Sequence, residues 1–408
     1  MRIDFEIAAS AIWHLGAATV LAGLLIACGG AEDEGAKTVE TTDSKNVTAD
    51  GGSGDGGDGG DGGDGDGGDG GDGGDGDGGD GGDGGNEVTC EAASNWDKAK
   101  KAEVQSSLVK ASKTDAAILG NPDKDHLLIR PKGDKFRPVL HVHFGGSGGK
   151  PSNSSNISTV AAQAGFRSVN LAYMNELSIN ESCTDPDTGT KRSADCEELV
   201  RKEKIYGSDE TPLVSIDKTD SIVYRLVKLL KYAANKDPKG KWDEFLDADG
   251  VIWSKVMVSG FSQGGGMAGM LSKDFEVARA VFFSKACGSE GSTVEDIQPA
   301  KWCFKPFKTS GERMYGLIHR EESAYYYSPQ AFTTLGMLKY GDIVDADTND
   351  APYSCSHVVS TGLLPKGAKE GNFTKAHGSM GSNAHQPLGA DGLPAMAPAW
   401  YHFFTVDW

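Results

Sequence analysis

The stretch from Val251 to Met270, VIWSKVMVSGFSQGGGMAGM, constrains this 408-residue chain more than any other. Val256-Met257-Val258 is an apolar, β-branched run and reads as a buried strand. Met267-Ala268-Gly269-Met270 reads as a helix packed closely on a sheet. Between them lies Gly260-Phe261-Ser262-Gln263-Gly264, a Gly-x-Ser-x-Gly pattern. A strand turning sharply into a helix strains its backbone, so only small residues fit on either side of the serine. Such a turn would hold the Ser262 hydroxyl above the sheet edge, at the positive end of a helix. The backbone N–H of Gln263 would then point where charge develops on an oxygen under attack. Five such residues also occur in plain loops. The strand before, the small-residue helix after and the histidines further along give the pattern its weight.

Elsewhere the chain alternates strand and helix signals. Residues 127–129 and 138–144 read as strands, the second followed by Gly145-Gly146-Ser147-Gly148-Gly149. Residues 157–164 read as a helix and 168–173 as a strand. Residues 174–216 form a long insertion, expected on the rim above the site. Asp220 reads as the N-cap of a helix over 221–235, with Ile222, Leu226, Leu229, Leu230 and Ala233 on one face. Further strands are expected at 278–284, 314–319 and 357–364, and residues 97–117 carry only a weak helical pattern. The alternation implies an α/β fold: a mostly parallel sheet with helices on both faces.

Charge is concentrated before this region. Of the net −19, the 11 Asp of residues 51–85 account for −11, residues 29–50 for −4 and residues 1–28 for −1, so residues 86–408 carry −3. A nearly neutral body gives no basic face for nucleic acid. Residues 51–85 are Gly-Asp repeats with one Ser and no apolar residue, so they cannot bury surface against their chain entropy. They read as a disordered tether after a polar linker over 29–50. Cation-binding solenoid repeats would need an apolar residue per turn.

The N-terminus has an apolar run ending Leu25-Ile26-Ala27-Cys28-Gly29. It is similar to a bacterial lipoprotein signal. That resemblance implies cleavage before Cys28, acylation of its thiol, export, and attachment to the outer membrane or cell surface. An ordinary secretory signal or an anchor helix are the alternatives. Six further cysteines behind an export signal suggest disulfides. Proximity pairs Cys183 with Cys196, Cys287 with Cys303, and Cys90 with Cys355. Either short loop would contribute roughly 3 kcal/mol. No Cys-x-x-Cys occurs, so no metal site is expected.

A serine hydroxyl needs a base to take its proton. His377 and His385 both lie after the last strand; His377 is nearer to it and flanked by small residues. The acid that orients the histidine should follow a strand between serine and histidine. Glu321 and Glu322 end one such strand, with Asp342 and Asp345 as further candidates. Gly145–Lys150 also invites a phosphate-loop reading, but that needs Gly at Phe144 and Ser or Thr at Pro151.

His143-Phe144-Gly145-Gly146-Ser147 resembles the oxyanion loops of lipases and esterases, which implies a second donor from Gly146 or Ser147. More broadly, residues 126–408 resemble a group of secreted bacterial α/β-hydrolases. The resemblance is carried by HVHFGGSGGKP (141–151), GKWDEFL (240–246), GFSQGGGMA (260–268), PAKWCFKPF (299–307), ERMYGLIHREE (312–322) and KAHGSM (375–380). It implies an α/β-hydrolase domain over 90–408 and a Ser–acid–His hydrolase without metal or cofactor. In such relatives an Asp usually stands at the place of Glu322, which prefers Glu322 to Glu321. The expected activity is hydrolysis of carboxylic esters, small or polymeric, through an acyl-enzyme. The alternative is a non-catalytic surface-binding lipoprotein that keeps the fold.

Overall fold

The computed structural model describes residues 95–291 and 296–407. The expected signal with Cys28, the linker, the Gly-Asp tract, and Cys90 of the Cys90–Cys355 pair lie outside the described residues.

Among the described residues nine strands form one sheet: β1 Val104–Lys110, β2 Asp125–Pro131, β3 Leu140–Phe144, β4 Arg167–Asn170, β5 Val256–Phe261, β6 Arg279–Phe283, β7 Met314–His319, β8 Val344–Asp345 and β9 Val358–Thr361. Their order is β1-β2-β4-β3-β5-β6-β7-β9-β8, and only β2 runs against the others. This is the α/β-hydrolase fold. In a parallel sheet every connection leaving a strand's carboxyl end starts on the same edge, so β3, β5, β7 and β9 launch their loops toward one place.

The helices used below are α1 Ser155–Gln163, α2 Cys196–Tyr206, α3 Ile222–Lys236, α4 Gln263–Asp274, α5 Ser328–Thr334, α6 Phe373–Ser379 and α7 Ala397–Thr405. Strand residues alternate between two cores, as the pleat requires. Val256, Val258, Ala280 and Phe282 pack with α2, α3 and α4 on one face. Met257, Val281 and Phe283 pack with Ile157 of α1 and with Trp400 and Phe403 of α7 on the other.

Three local expectations are corrected. Residues 97–117 are not one helix: a turn at Trp96–Ala99 leads into β1, an edge strand whose residues are mostly exposed and therefore show no apolar period. The N-cap of α3 is Ser221, whose hydroxyl accepts from the Tyr224 N–H at 3.3 Å. Asp220 sits one residue too early and instead binds Arg225 at 2.8 Å. The last strand is Val358–Thr361, shorter than its apolar run, because Gly362 turns away to donate to Asp347 at 2.6 Å.

The 174–216 insertion contains a helical turn, Ile179–Ser182, and α2, joined by a Cys183–Cys196 disulfide with a Cα separation of 5.7 Å. Cys287–Cys303 closes the excursion after β6 at 5.9 Å. No described helix is long and apolar enough to cross a membrane.

Candidate active site

Ser262 stands between β5 and α4 with φ 56° and ψ −119°, a conformation side chains rarely adopt. Its flanking glycines are dictated by crowding. A Cβ on Gly260 would collide with the Gly264 carbonyl, and one on Gly264 with the Phe144 carbonyl of β3. The bend is pinned to the sheet where the Ser262 N–H donates to Phe283 O of β6 at 3.2 Å. Ser262 itself is only 7% exposed.

The structure brings Ser262, His377 and Glu322 together. His377 lies on α6, a helix capped by the Asn372 side chain, which accepts from the Lys375 N–H at 3.0 Å. Its Nε2 is 2.8 Å from Ser262 Oγ and its Nδ1 is 2.5 Å from Glu322 Oε2. Glu322 follows β7, is 1% exposed, and accepts the His319 N–H on Oε1 at 3.0 Å. An ionised carboxylate can only accept. It therefore accepts a hydrogen bond from Nδ1–H, which leaves the Nε2 lone pair to accept one from the Ser262 hydroxyl.

The other candidates are placed elsewhere. Glu321 is half-buried, and its backbone N–H donates to His319 Nδ1 at 3.0 Å. Of two adjacent residues leaving a strand, it is Glu322 that faces His377. Asp342 is exposed, and Asp345 pairs with Arg320 at 2.7 Å. His385 packs its ring on Gly378, beside His377 in the chain, and burial followed by the Lys375 charge lowers its pKa.

Two backbone features adjoin the serine. Gln263 is the first residue of α4, so its N–H has no partner within that helix. Gly146 presses against the elbow: a Cβ there would lie 3.3 Å from Ser262 Cβ and 3.1 Å from the Phe261 ring. Ser147 follows it in the loop. The Phe261 ring lies 4.9 Å from that of His377.

Several neighbours went unmarked in the sequence. Below the elbow, Ser259 Oγ lies 2.8 Å from both His141 Nε2 and His143 Nδ1, and Ser168 Oγ lies 2.7 Å from His141 Nδ1. Burial depresses both histidines, His143 to about 3, so they stand neutral. The alternation in His141-Val142-His143 does place the two on one face. Arg201 of α2, 1% exposed, donates to Gln263 O at 3.3 Å and Glu197 at 3.2 Å. Its guanidinium fills the space a side chain at Gly266 would take. Tyr173 and Asn175 sit behind the Gly145–Gly149 loop. Among the described residues no cluster of three His, Cys, Asp or Glu side chains could hold a metal.

Strand order, bend and serine thus define the chain as having the α/β-hydrolase fold. No protein-family model and no curated protein matches it. Among solved structures it is similar to a bacterial heroin esterase at 12% identity, covering 63% of this chain and 74% of that one with a TM-score of 0.34. It is also similar to a Pyrobaculum calidifontis esterase at 14% identity, covering 59% and 74%, TM-score 0.30. Esterase B from Lactobacillus rhamnosis matches at 11% identity, covering 64% and 74%, TM-score 0.29.

Proposed function

We propose that this chain is a serine hydrolase of carboxylic esters. The observation that carries the reading is the unbroken chain of hydrogen bonds from Ser262 through His377 to Glu322 at a strained strand-to-helix bend. Ser262 Oγ attacks the ester carbonyl while His377 Nε2 removes its proton. Glu322 holds the ring in the required tautomer and stabilises the imidazolium. The carbonyl oxygen, now anionic, receives N–H groups from Gln263 and from the Gly146–Ser147 segment. Collapse expels the alcohol, protonated by His377. Water, activated by the same nitrogen, then frees the acid from Ser262. We further assign the N-terminal region to export and lipid attachment at Cys28, with residues 51–85 as the tether.

The test is labelling with a fluorophosphonate probe, together with hydrolysis of p-nitrophenyl esters of rising acyl length. Wild type should label at Ser262 and turn over. Ser262→Ala should lose labelling and lower kcat by about 10⁴-fold or more. A folded wild type that neither labels nor hydrolyses any ester of the series would favour the binding protein instead.

A further inference from the structure

The loop opposite Ser262 is held from behind by the segment that leaves β4. Tyr173, 1% exposed, donates its hydroxyl to Gly145 O at 2.7 Å. Asn175, 2% exposed, donates its side-chain amide to Gly146 O at 2.6 Å and to Gly149 O at 3.1 Å. The amide cannot be turned the other way, because Lys124 Nζ donates to Asn175 Oδ1 at 2.6 Å, and an ammonium has no acceptor to offer. The same segment closes the loop through its backbone, with the Gly148 N–H donating to Asn175 O at 2.8 Å.

These bonds have a geometric consequence. In a trans peptide the carbonyl and the following N–H lie in one plane and point in opposite directions. Pinning Gly145 O toward Tyr173 therefore turns the Gly146 N–H away from Tyr173. Pinning Gly146 O toward Asn175 turns the Ser147 N–H away from Asn175. Gly146 lies close to Ser262, since a Cβ there would stand 3.3 Å from Ser262 Cβ. The Gly146 N–H is thus aimed by one buried side chain, Tyr173, and the Ser147 N–H by the Asn175 amide together with the loop's own Gly149 N–H, which also donates to Gly146 O at 3.2 Å.

We infer that Tyr173 and Asn175 are positioning residues: Tyr173 aims the Gly146 N–H, and Asn175 the Ser147 N–H, at the substrate carbonyl oxygen. The inference rests on the serine-hydrolase reading. Gln263 ties the arrangement to the opposite donor, since its side-chain amide lies 3.5 Å from both the Tyr173 hydroxyl and Asn175 O. Neither residue touches the reacting atoms. Each acts on charge that exists only in the transition state, so each should govern kcat and leave substrate binding nearly alone.

The experiment compares the full chain with Tyr173→Phe and Asn175→Asp. The first removes one hydroxyl from a ring that keeps its packing. The second keeps the Lys124 contact but sets a carboxylate oxygen against two carbonyls. Each is measured for kcat and KM on one p-nitrophenyl ester, for affinity toward a trifluoromethyl ketone that mimics the tetrahedral anion, and for melting temperature. Whichever side chain aims the donor in use should, on substitution, lower kcat by about 10- to 100-fold with KM within 3-fold, and weaken the ketone by the same factor. Wild-type kcat in both variants overturns the inference, as does a fall in kcat matched by a rise in KM with ketone affinity unchanged. Wild type inactive on every ester removes the hydrolase reading and this inference with it. An active wild type, a dead Ser262→Ala and two unaffected variants remove this inference alone.

Discussion

Ser262 occupies a backbone conformation that costs a side-chain-bearing residue about 1–3 kcal/mol. That strain predicts an unusual order of stabilities. Replacing Gly by Ala at an ordinary site stabilises a protein by about 0.4–1 kcal/mol through the unfolded chain. At position 262 the order should invert: Ser262→Gly should be more stable than Ser262→Ala by about 1 kcal/mol, though neither can attack an ester. Urea unfolding of the two variants decides it, and an alanine variant at least as stable as the glycine one would show the bend to be relaxed. Ser262 and its flanking glycines were legible because the bend admits few residue types. His377 and Glu322 were legible only by chain order and resemblance, since their partners lie 115 and 55 residues from His377. Tyr173 and Asn175 were invisible, because what they do depends on which way two carbonyls point.

The elements best read from sequence are those with one buried side. α3 buries Ile222, Leu226, Leu229, Leu230 and Ala233 against the sheet, at the spacing expected. β1 and the two-residue β8 gave no such signal, being exposed or too short. α2 misleads in another way. CEELVRKEKIY looks like a solvated helix, yet Glu198, Arg201, Glu203 and Lys204 are buried. Two of them serve loop backbone: Lys204 donates to Met174 O at 2.9 Å and Leu177 O at 3.0 Å, and Glu203 accepts from the Glu210 N–H at 2.8 Å, while Glu198 pairs with Lys202 and Lys305. The helix enters the core through Cys196, Val200 and Ile205 alone among its fully buried apolar residues, and the Cys183–Cys196 bridge at its first residue adds a covalent hold. At a sequence separation of 13, the cysteines restrict the unfolded chain by about 3 kcal/mol. Cys183→Ala with Cys196→Ala should lose about that much in urea unfolding, and adding reductant to the double variant should produce only the loss due to the remaining bridges. A double variant within 0.5 kcal/mol of wild type would mean that α2 holds itself in place.

At the scale of the whole molecule the core contains histidines that must stay neutral. His126 and His143 are held at about 3 and His402 at about 4, while His141 is held well below its ordinary value, in each case chiefly by burial. Neighbouring cations add to this, Arg225 beside His126 and Arg279 beside His402. His126 also uses Nδ1 as an acceptor for the Ala172 N–H at 3.1 Å, a bond that protonation there would abolish. Each of these groups titrates near 6.5 once the chain unfolds. Below that pH the unfolded chain binds protons that the folded one refuses, so stability is complete above about pH 6.5 and declines as pH falls toward the folded values. The slope is at most about 1.4 kcal/mol per pH unit for each histidine, hence up to about 5.5 kcal/mol per unit for the four. Against a total stability of about 5–15 kcal/mol, this places acid unfolding nearer pH 5 than the pH 3 to 4 at which carboxylates alone would act. Urea midpoints measured from pH 7.5 to 5 should be level above about 7 and fall steeply below 6.5. Midpoints unchanged down to pH 5 would mean that these side chains take up protons inside the fold, in which case the Ser259 network beneath the bend would hold a charged histidine.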